Sequence, residues 1–208
     1  VGWRGVFAGV GVLLLSLVAW LWPVLAGGRL ETAKPGTASW WDSLVATTAL
    51  PRVRIVQSLK AVYAKYASNE YPFAIQESEI FAPYEADFDS FNALVLRPAR
   101  DAFKAARDRY LKPYPGVRET LDALRTRGLE VIGLTDAPRN AAELRLKTLR
   151  LDGPFDAIYT LPGYPLPENV DPEIRRKEEA GHYRSRTPVV ELPSDAEKPS
   201  PTGLARIL

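Results

Sequence analysis

A hydroxyl and a carboxylate stand side by side where a short apolar run of the sequence ends. The run covers residues 129–134, contains β-branched side chains, and is followed at once by Thr135 and Asp136. A run of this length and composition is typical of a buried strand and is too short for a helix. Because ligands of open α/β sheets bind at the carboxyl ends of the strands, Thr135 and Asp136 are candidates for contact with a ligand.

A helix is predicted immediately before this strand. Pro113 and Pro115 exclude a helix between them, so the new element begins at Gly116 or Val117. Its apolar residues recur at helical spacing: Val117, Leu121 and Leu124. Gly128 follows as the expected C′ residue that ends the helix. The apolar stripe of this helix predicts that it packs on a sheet.

A second helix and a second strand follow the candidate residues. Residues 139–150 have a helical pattern after Pro138, and residues 155–160 have the pattern of another strand. The order helix, strand, helix, strand implies a right-handed crossover and a parallel sheet. The predicted fold class is therefore α/β, with a three-layer, Rossmann-like arrangement around a parallel sheet.

These segments resemble the haloacid dehalogenase-like (HAD) hydrolase superfamily. The resemblance rests on residues 114–121, on Gly128 and on the Leu-Thr-Asp sequence at 134–136. Thr135 matches the second motif of that family, a hydroxyl at a strand end that hydrogen-bonds the substrate phosphoryl group. Lys198 matches the third motif, in which a lysine opens a helix and neutralises charge on the phosphoryl group and the nucleophile. The similar region covers residues 90–208.

The resemblance implies an enzyme activity, site residues and a cofactor. The activity would be Mg²⁺-dependent hydrolysis of a phosphate monoester of a small molecule, through an aspartyl-phosphate intermediate. Thr135 and Lys198 would be catalytic, and Thr135, Asp136 and Lys198 would bind the substrate, while the metal ligands are not identified. The alternative is a membrane-anchored, catalytically inactive domain that binds a phosphorylated ligand or a protein partner.

The family's first motif, Asp-x-Asp at the end of the first strand, has only two weak counterparts here. Asp42 lies in the sequence Trp-Asp-Ser-Leu-Val at 41–45, but no apolar strand precedes it. Asp87 and Asp89 have the correct spacing, but they open a segment with a helical pattern. The sequence therefore predicts a HAD-like domain that lacks an assigned nucleophile.

The N-terminal residues predict a membrane-spanning helix. Residues 5–28 carry no charge, and as a helix they would be about 36 Å long, enough to cross a hydrocarbon core of about 30 Å. A signal peptide, a buried core helix and a misjoined reading frame are the competing interpretations. One positive charge precedes the span and four follow it, namely Arg4 and then Arg29, Lys34, Arg52 and Arg54. This distribution predicts a single-pass protein with its C-terminal domain in the cytoplasm.

The expected domain organisation follows from these patterns. Residues 1–28 form the transmembrane helix or signal anchor, residues 29–39 a linker, and residues 113–208 the HAD-like core. Residues 40–112 form a helical region, either a cap over the active site or a hairpin packed on the core or the membrane surface. The proline-rich residues 161–196 form an insertion with one short charged helix, and its His182 is expected to be a solvated loop residue.

Composition limits the function further. The chain has 208 residues, a net charge of +2 and no basic stripe with interleaved aromatics, so nucleic acid is not an expected partner. Without cysteine, the chain has no disulfide and no thiolate metal site. The chain also lacks methionine, even at position 1, and it stops at Leu208. We therefore expect a fragment of a longer reading frame, with a valine from an alternative start codon as the competing explanation.

Overall fold

The computed structural model describes residues 11–13, 40–66, 71–198 and 201–207. The chain divides into two compact units. The α/β unit contains the described residues up to 13, from 113 to 165 and from 177 onward. The helical unit contains the described residues from 40 to 112 and from 166 to 176.

The strands of the α/β unit form one parallel sheet. They are β1 (Gly11–Leu13), β2 (Val131–Pro138), β3 (Ala157–Leu161) and β4 (Val189–Glu191). Their order in the sheet is β1-β2-β3-β4, and each neighbouring pair is parallel. The α/β class and the parallel sheet expected from the sequence are thus confirmed.

Helices occur in both units. In chain order they are α1 (Trp40–Thr48), α2 (Arg52–Lys65), α3 (Phe88–Phe91), α4 (Arg97–Tyr110), α5 (Val117–Thr126), α6 (Arg139–Leu149), α7 (Pro172–Glu179) and α8 (Pro201–Ala205). Short 3₁₀ turns cover Glu79–Tyr84 and Ser194–Ala196, and a π-helical segment, Asn92–Leu96, joins α3 to α4.

The N-terminal region differs from the predicted spanning helix. Residues 11–13 form β1, which pairs with β2 from Gly11 opposite Val131 to Leu13 opposite Gly133. An apolar run with valine suits a buried strand as well as a helix, and periodicity alone does not separate the two. The rest of the predicted span lies outside the described residues. Among the helices that the structure describes, none is long and apolar enough to cross a membrane.

Helix α5 begins and ends where its sequence predicts. Gly116 precedes it with a φ of 82°, in the left-handed region that favours glycine. At the other end Gly128 has a φ of 72° and donates its N–H to the Arg125 carbonyl, while Leu129 donates to the Leu124 carbonyl. These two bonds form a Schellman motif, which satisfies carbonyls at the end of the helix. The motif turns the chain directly into β2.

Strand β2 is buried on both faces, as a parallel strand with neighbours on either side must be. On one face Leu134 packs in a cluster with Leu192 and Ala196, covered by Tyr159 and Ile207. Burial of apolar side chains on β2, β3 and the segment after β4 therefore holds the carboxyl end of β2 in a fixed place.

The helical unit has its own core and a polar anchor. The buried face of α2 is Ile55, Leu59 and Val62, whereas Val53 of the same helix is 61% exposed. Asp171 accepts hydrogen bonds from Asn92 at 3.1 Å and Arg100 at 3.0 Å. Burial raises the pKa of Asp171, but bonds from the Glu173 N–H, Asn92 and Arg100 outweigh it and lower the pKa below its ordinary value. Segment 166–176 is thereby fixed to this unit.

We expect opposite stability changes at two helix ends. Gly128→Ala should lower the free energy of unfolding by about 1 kcal/mol, because alanine is strained at positive φ and the added Cβ has no atom within 4 Å. Arg150, exposed at a φ of 54° after α6, is the matched position. Arg150→Gly should raise the free energy of unfolding, by up to about 1 kcal/mol. Urea unfolding of the full chain measures both changes in the free energy of unfolding. Changes of the same sign in the two variants would contradict the assignment of both positions to the left-handed region.

Candidate functional site

The ladder between β2 and β3 is interrupted at the candidate residues. Leu134 pairs with Tyr159, and the next pair is Pro138 with Leu161. Strand β2 therefore advances four residues where β3 advances two, so residues 135–137 bulge out of the ladder. Bulges re-aim side chains and are common beside active sites. This one puts Thr135 and Asp136 at the carboxyl edge of the sheet, each partly exposed.

The Thr135 hydroxyl stabilises the bulge and keeps its own proton free. Its Oγ1 accepts a hydrogen bond from the backbone N–H of Ala137 at 3.1 Å. A hydroxyl has one proton and two lone pairs, so accepting this bond leaves the O–H able to donate elsewhere. The described residues give that proton no acceptor, and an anion at the edge of the sheet could serve as one.

Asp136 brings Lys198 to the same place. Its Oδ1 accepts a hydrogen bond from the Lys198 backbone N–H at 3.1 Å, and its Oδ2 lies 3.5 Å from the Lys198 Nζ. The two residues are 62 positions apart in the chain. One carboxylate thus holds both the backbone and the ammonium group of Lys198. The side chains of Asp136 and Lys198 are 29% and 32% exposed, so this ion pair remains open to a ligand.

Lys198 does not open a helix, contrary to the sequence expectation. It lies in a turn after the 3₁₀ segment Ser194–Ala196, and α8 begins at Pro201. The five residues of α8 are too few for a substantial macrodipole at its N-terminus. The positive charge that this segment brings to the edge therefore comes from the ammonium group of Lys198.

A second set of charges lies at the ends of β2 and β4. Arg139, the first residue of α6, lies 3.5 Å from Glu143 and 3.7 Å from Glu191. Glu191 also accepts the backbone N–H of Gly163 at 3.3 Å. Both carboxylates are thus paired with the same guanidinium. Glu191 also positions the turn after β3. Both carboxylates leave less of the positive charge of Arg139 available for an anion.

Neither counterpart of the first motif is at a strand end. Asp42 lies in the first turn of α1 and is 3.7 Å from Arg52. Asp87 caps α3, accepting from the Asp89 N–H at 3.1 Å and the Ser90 hydroxyl at 2.6 Å. The bonds from Ser90, with that from Asp89, lower the pKa of Asp87. These aspartates have local roles in the helical unit, and neither occupies the strand-end position of the family's first motif.

Comparison with known proteins identifies the family. A family model described as haloacid dehalogenase-like hydrolase matches residues 53–165, which is more than half of the chain. The chain belongs to the haloacid dehalogenase-like hydrolase family. The match includes β2 and β3 and therefore Thr135 and Asp136. Searches of curated proteins and of solved structures found no match.

The Mg²⁺ that the family implies does not fit the donors of the described edge. Mg²⁺ prefers octahedral oxygen coordination, commonly with one or two carboxylates. Here Asp136 contacts Lys198, and Glu191 contacts Arg139. No group of three acidic, histidine or cysteine residues that could hold a metal ion occurs in the part of the chain that the structure describes. No catalytic step is therefore assigned to a metal.

Thr160 is a polar residue of this region that the sequence did not single out. It lies on β3 opposite the bulge, is fully buried, and its Oγ1 has no hydrogen-bond partner among the described residues. An apolar cavity of about 20 Å³ that Thr135, Ala137 and Ile158 help to line has room for about one water molecule, so it is too small for a substrate. A threonine in a strand is ordinary, so no sequence signal marked Thr160.

Replacing Thr160 by valine should stabilise the protein. Thr160→Val removes a buried hydroxyl without a described partner and keeps the β-branched shape, so the free energy of unfolding should rise by about 1 kcal/mol. Thr48 is the matched control, because its buried hydroxyl donates to the Leu44 carbonyl at 2.7 Å. Thr48→Val should lower the free energy of unfolding by a similar amount. Thermal unfolding of both variants tests the contrast, and destabilisation by Thr160→Val would show that its hydroxyl has a partner.

Proposed function

We propose that this chain hydrolyses a phosphate monoester at the carboxyl edge of β2. The observation that carries the proposal is the contact of Asp136 with Lys198, beside the available proton of Thr135. Membership of the hydrolase family supports the reaction class. The phosphorylated substrate is inferred from the chemistry of these groups and from the motifs of the family.

The two groups complement a phosphoryl group. During phosphoryl transfer, negative charge is spread over three equatorial oxygens. The Lys198 ammonium group has three donors, and Asp136 orients it without covering it. The Thr135 hydroxyl supplies another donor at a fixed position, since Ala137 holds its oxygen. Preorganised donors of this kind stabilise the transition state because they need not reorganise as charge develops.

Membrane attachment and Mg²⁺ dependence belong to the proposal as expectations from the sequence and the family. A membrane anchor in the N-terminal residues, with the α/β unit in the cytoplasm, stays a prediction from the sequence. Dependence on Mg²⁺ rests on family membership alone. Activity is therefore best measured in parallel with Mg²⁺ and with EDTA.

A specific observation favours a second candidate function, binding of a phosphorylated ligand without turnover. Strand β1 is the parallel neighbour of β2, and residues 14–28 that follow it contain no carboxylate. The carboxyl edge of the sheet would then retain the donors that bind a phosphoryl group, but β1 would supply no nucleophile. Thr135 and Lys198 have the same role in both candidates, so binding and turnover must be measured separately.

Turnover of 4-nitrophenyl phosphate by the full chain tests the primary proposal. Lys198→Met should lower kcat/KM by about 10²- to 10³-fold, the usual effect of removing a charged donor from a transition state. Thr135→Ala should lower it by about 10- to 100-fold, as expected for a hydrogen bond to a charged group. Lys104→Met, at an exposed position on α4, is the matched control and should have no effect. An unchanged kcat/KM in Lys198→Met would show that the catalytic site does not lie at this edge of the sheet.

Calorimetric titration with orthophosphate in EDTA tests the binding candidate. We expect the wild-type chain to bind orthophosphate in EDTA, because the hydrogen-bond donors at the edge of the sheet are groups of the protein itself. Lys198→Met should raise Kd by at least about tenfold, since a charge-assisted bond is lost, and Lys104→Met should leave Kd unchanged. Binding that requires added Mg²⁺ would contradict this candidate, because it would demand a carboxylate metal site.

A further inference from the structure

We propose that Asp136 makes this site selective for a phosphoryl group that carries a proton, so that the preferred ligand is the monoanion of a phosphate ester. The inference rests on the proposed function and deepens it, because it names the ionisation state that the site binds. In this role the Asp136 carboxylate accepts a hydrogen bond from a P–O–H group of the ligand. Asp136 determines specificity and takes no covalent part in the reaction.

One oxygen of Asp136 has room for a further hydrogen bond. Its Oδ1 accepts the Lys198 backbone N–H at 3.1 Å, which fixes the orientation of the carboxylate. Its Oδ2 lies 3.5 Å from the Lys198 Nζ, which is longer than an ordinary N–H···O hydrogen bond. Because an ionised carboxylate only accepts hydrogen bonds and has about four lone-pair sites, Oδ2 keeps the capacity to accept one from a ligand.

The groups at the edge therefore combine donors with one fixed acceptor. The donors are the Lys198 ammonium group and the Thr135 hydroxyl, whose oxygen accepts the Ala137 N–H. A ligand oxygen bound to the Nζ also lies close to Asp136 Oδ2, since the two atoms are 3.5 Å apart. A sulfate ion or a fully ionised phosphate ester has only acceptors, so two anionic oxygens would repel each other there. A monoanionic phosphate ester has one P–O–H group and complements both kinds of protein group.

The charges around this edge also favour a monoanion. The carboxylate of Asp136 offsets the ammonium charge of Lys198. Arg139, the first residue of α6, is shared between two carboxylates. Carboxylates on the elements around this edge are Glu143, Glu191, Asp195 and Glu197. A second negative charge on the ligand thus gains little from these groups, whereas a proton on the phosphoryl group removes that charge and supplies the hydrogen bond.

Calorimetric titration of the full wild-type chain with orthophosphate and with sulfate, in EDTA and at neutral pH, tests the inference. The two ions are both tetrahedral, but orthophosphate keeps at least one P–O–H group at this pH, whereas sulfate has no proton. We expect orthophosphate to bind at least about tenfold more tightly, because it gains a hydrogen bond to a charged group. The comparison does not depend on the folding of any variant. Equal affinity for the two ions would overturn the inference.

Asp136→Asn is the informative variant. The asparagine oxygen can accept the Lys198 N–H in place of Oδ1, which puts an NH₂ donor in place of the Oδ2 acceptor. We expect the Kd for sulfate to fall by about tenfold or more and the preference for orthophosphate to disappear. Glu191→Gln is the matched control, because it removes a carboxylate at the end of β4, and it should keep the preference. An unchanged preference in Asp136→Asn would overturn the inference.

The pH dependence of methylphosphonate binding gives an independent sign. This ligand has no ester bond to hydrolyse, and its monoanion has one P–O–H group whereas its dianion has none. Between about pH 6 and pH 9, aspartate and lysine side chains ordinarily keep their charges. In the wild-type chain the Kd should rise with pH, by up to about tenfold per pH unit, because the fraction of monoanion falls. In Asp136→Asn the Kd should not rise. Tighter binding to the wild-type chain at higher pH would overturn the inference.

The outcomes separate this inference from the function on which it rests. If the wild-type chain binds orthophosphate but binds sulfate equally well, the selectivity assigned to Asp136 is wrong, although the proposed function stands. If the wild-type chain neither turns over 4-nitrophenyl phosphate nor binds orthophosphate, both the function and the inference fail.

Discussion

The candidate site depends on how β2 is held in the sheet. Strand β2 has a parallel neighbour on each side and is buried on both faces, so its carboxyl end has little freedom. The bulge at residues 135–137 then takes three residues out of the ladder at that fixed point. A rigid strand with a local irregularity at its end presents polar groups accurately, because packing stabilises the strand and the Thr135–Ala137 bond stabilises the bulge.

The second requirement is a long-range contact. Lys198 is far from β2 in the chain, and apolar packing brings its segment back to the sheet, since Leu192 and Ala196 cluster with Leu134. The carboxylate of Asp136 then makes two contacts with the same lysine. A partly exposed ion pair contributes little to stability. Its importance here is geometric, because it sets where a positive charge lies relative to the Thr135 hydroxyl.

Local signals in the sequence were enough for α5, the turn at Gly128 and the core of β2. Prolines, helical spacing, a C′ glycine and an apolar run all act within a few residues and agree with each other. The bulge could not be predicted, because register depends on the pairing of β2 with β3. Strand β1 was missed because an apolar run fits either a strand or a helix until its neighbours are known. Thr135, Asp136 and Lys198 are candidates from the sequence, but the contact of Asp136 with Lys198 could be seen only in the folded chain.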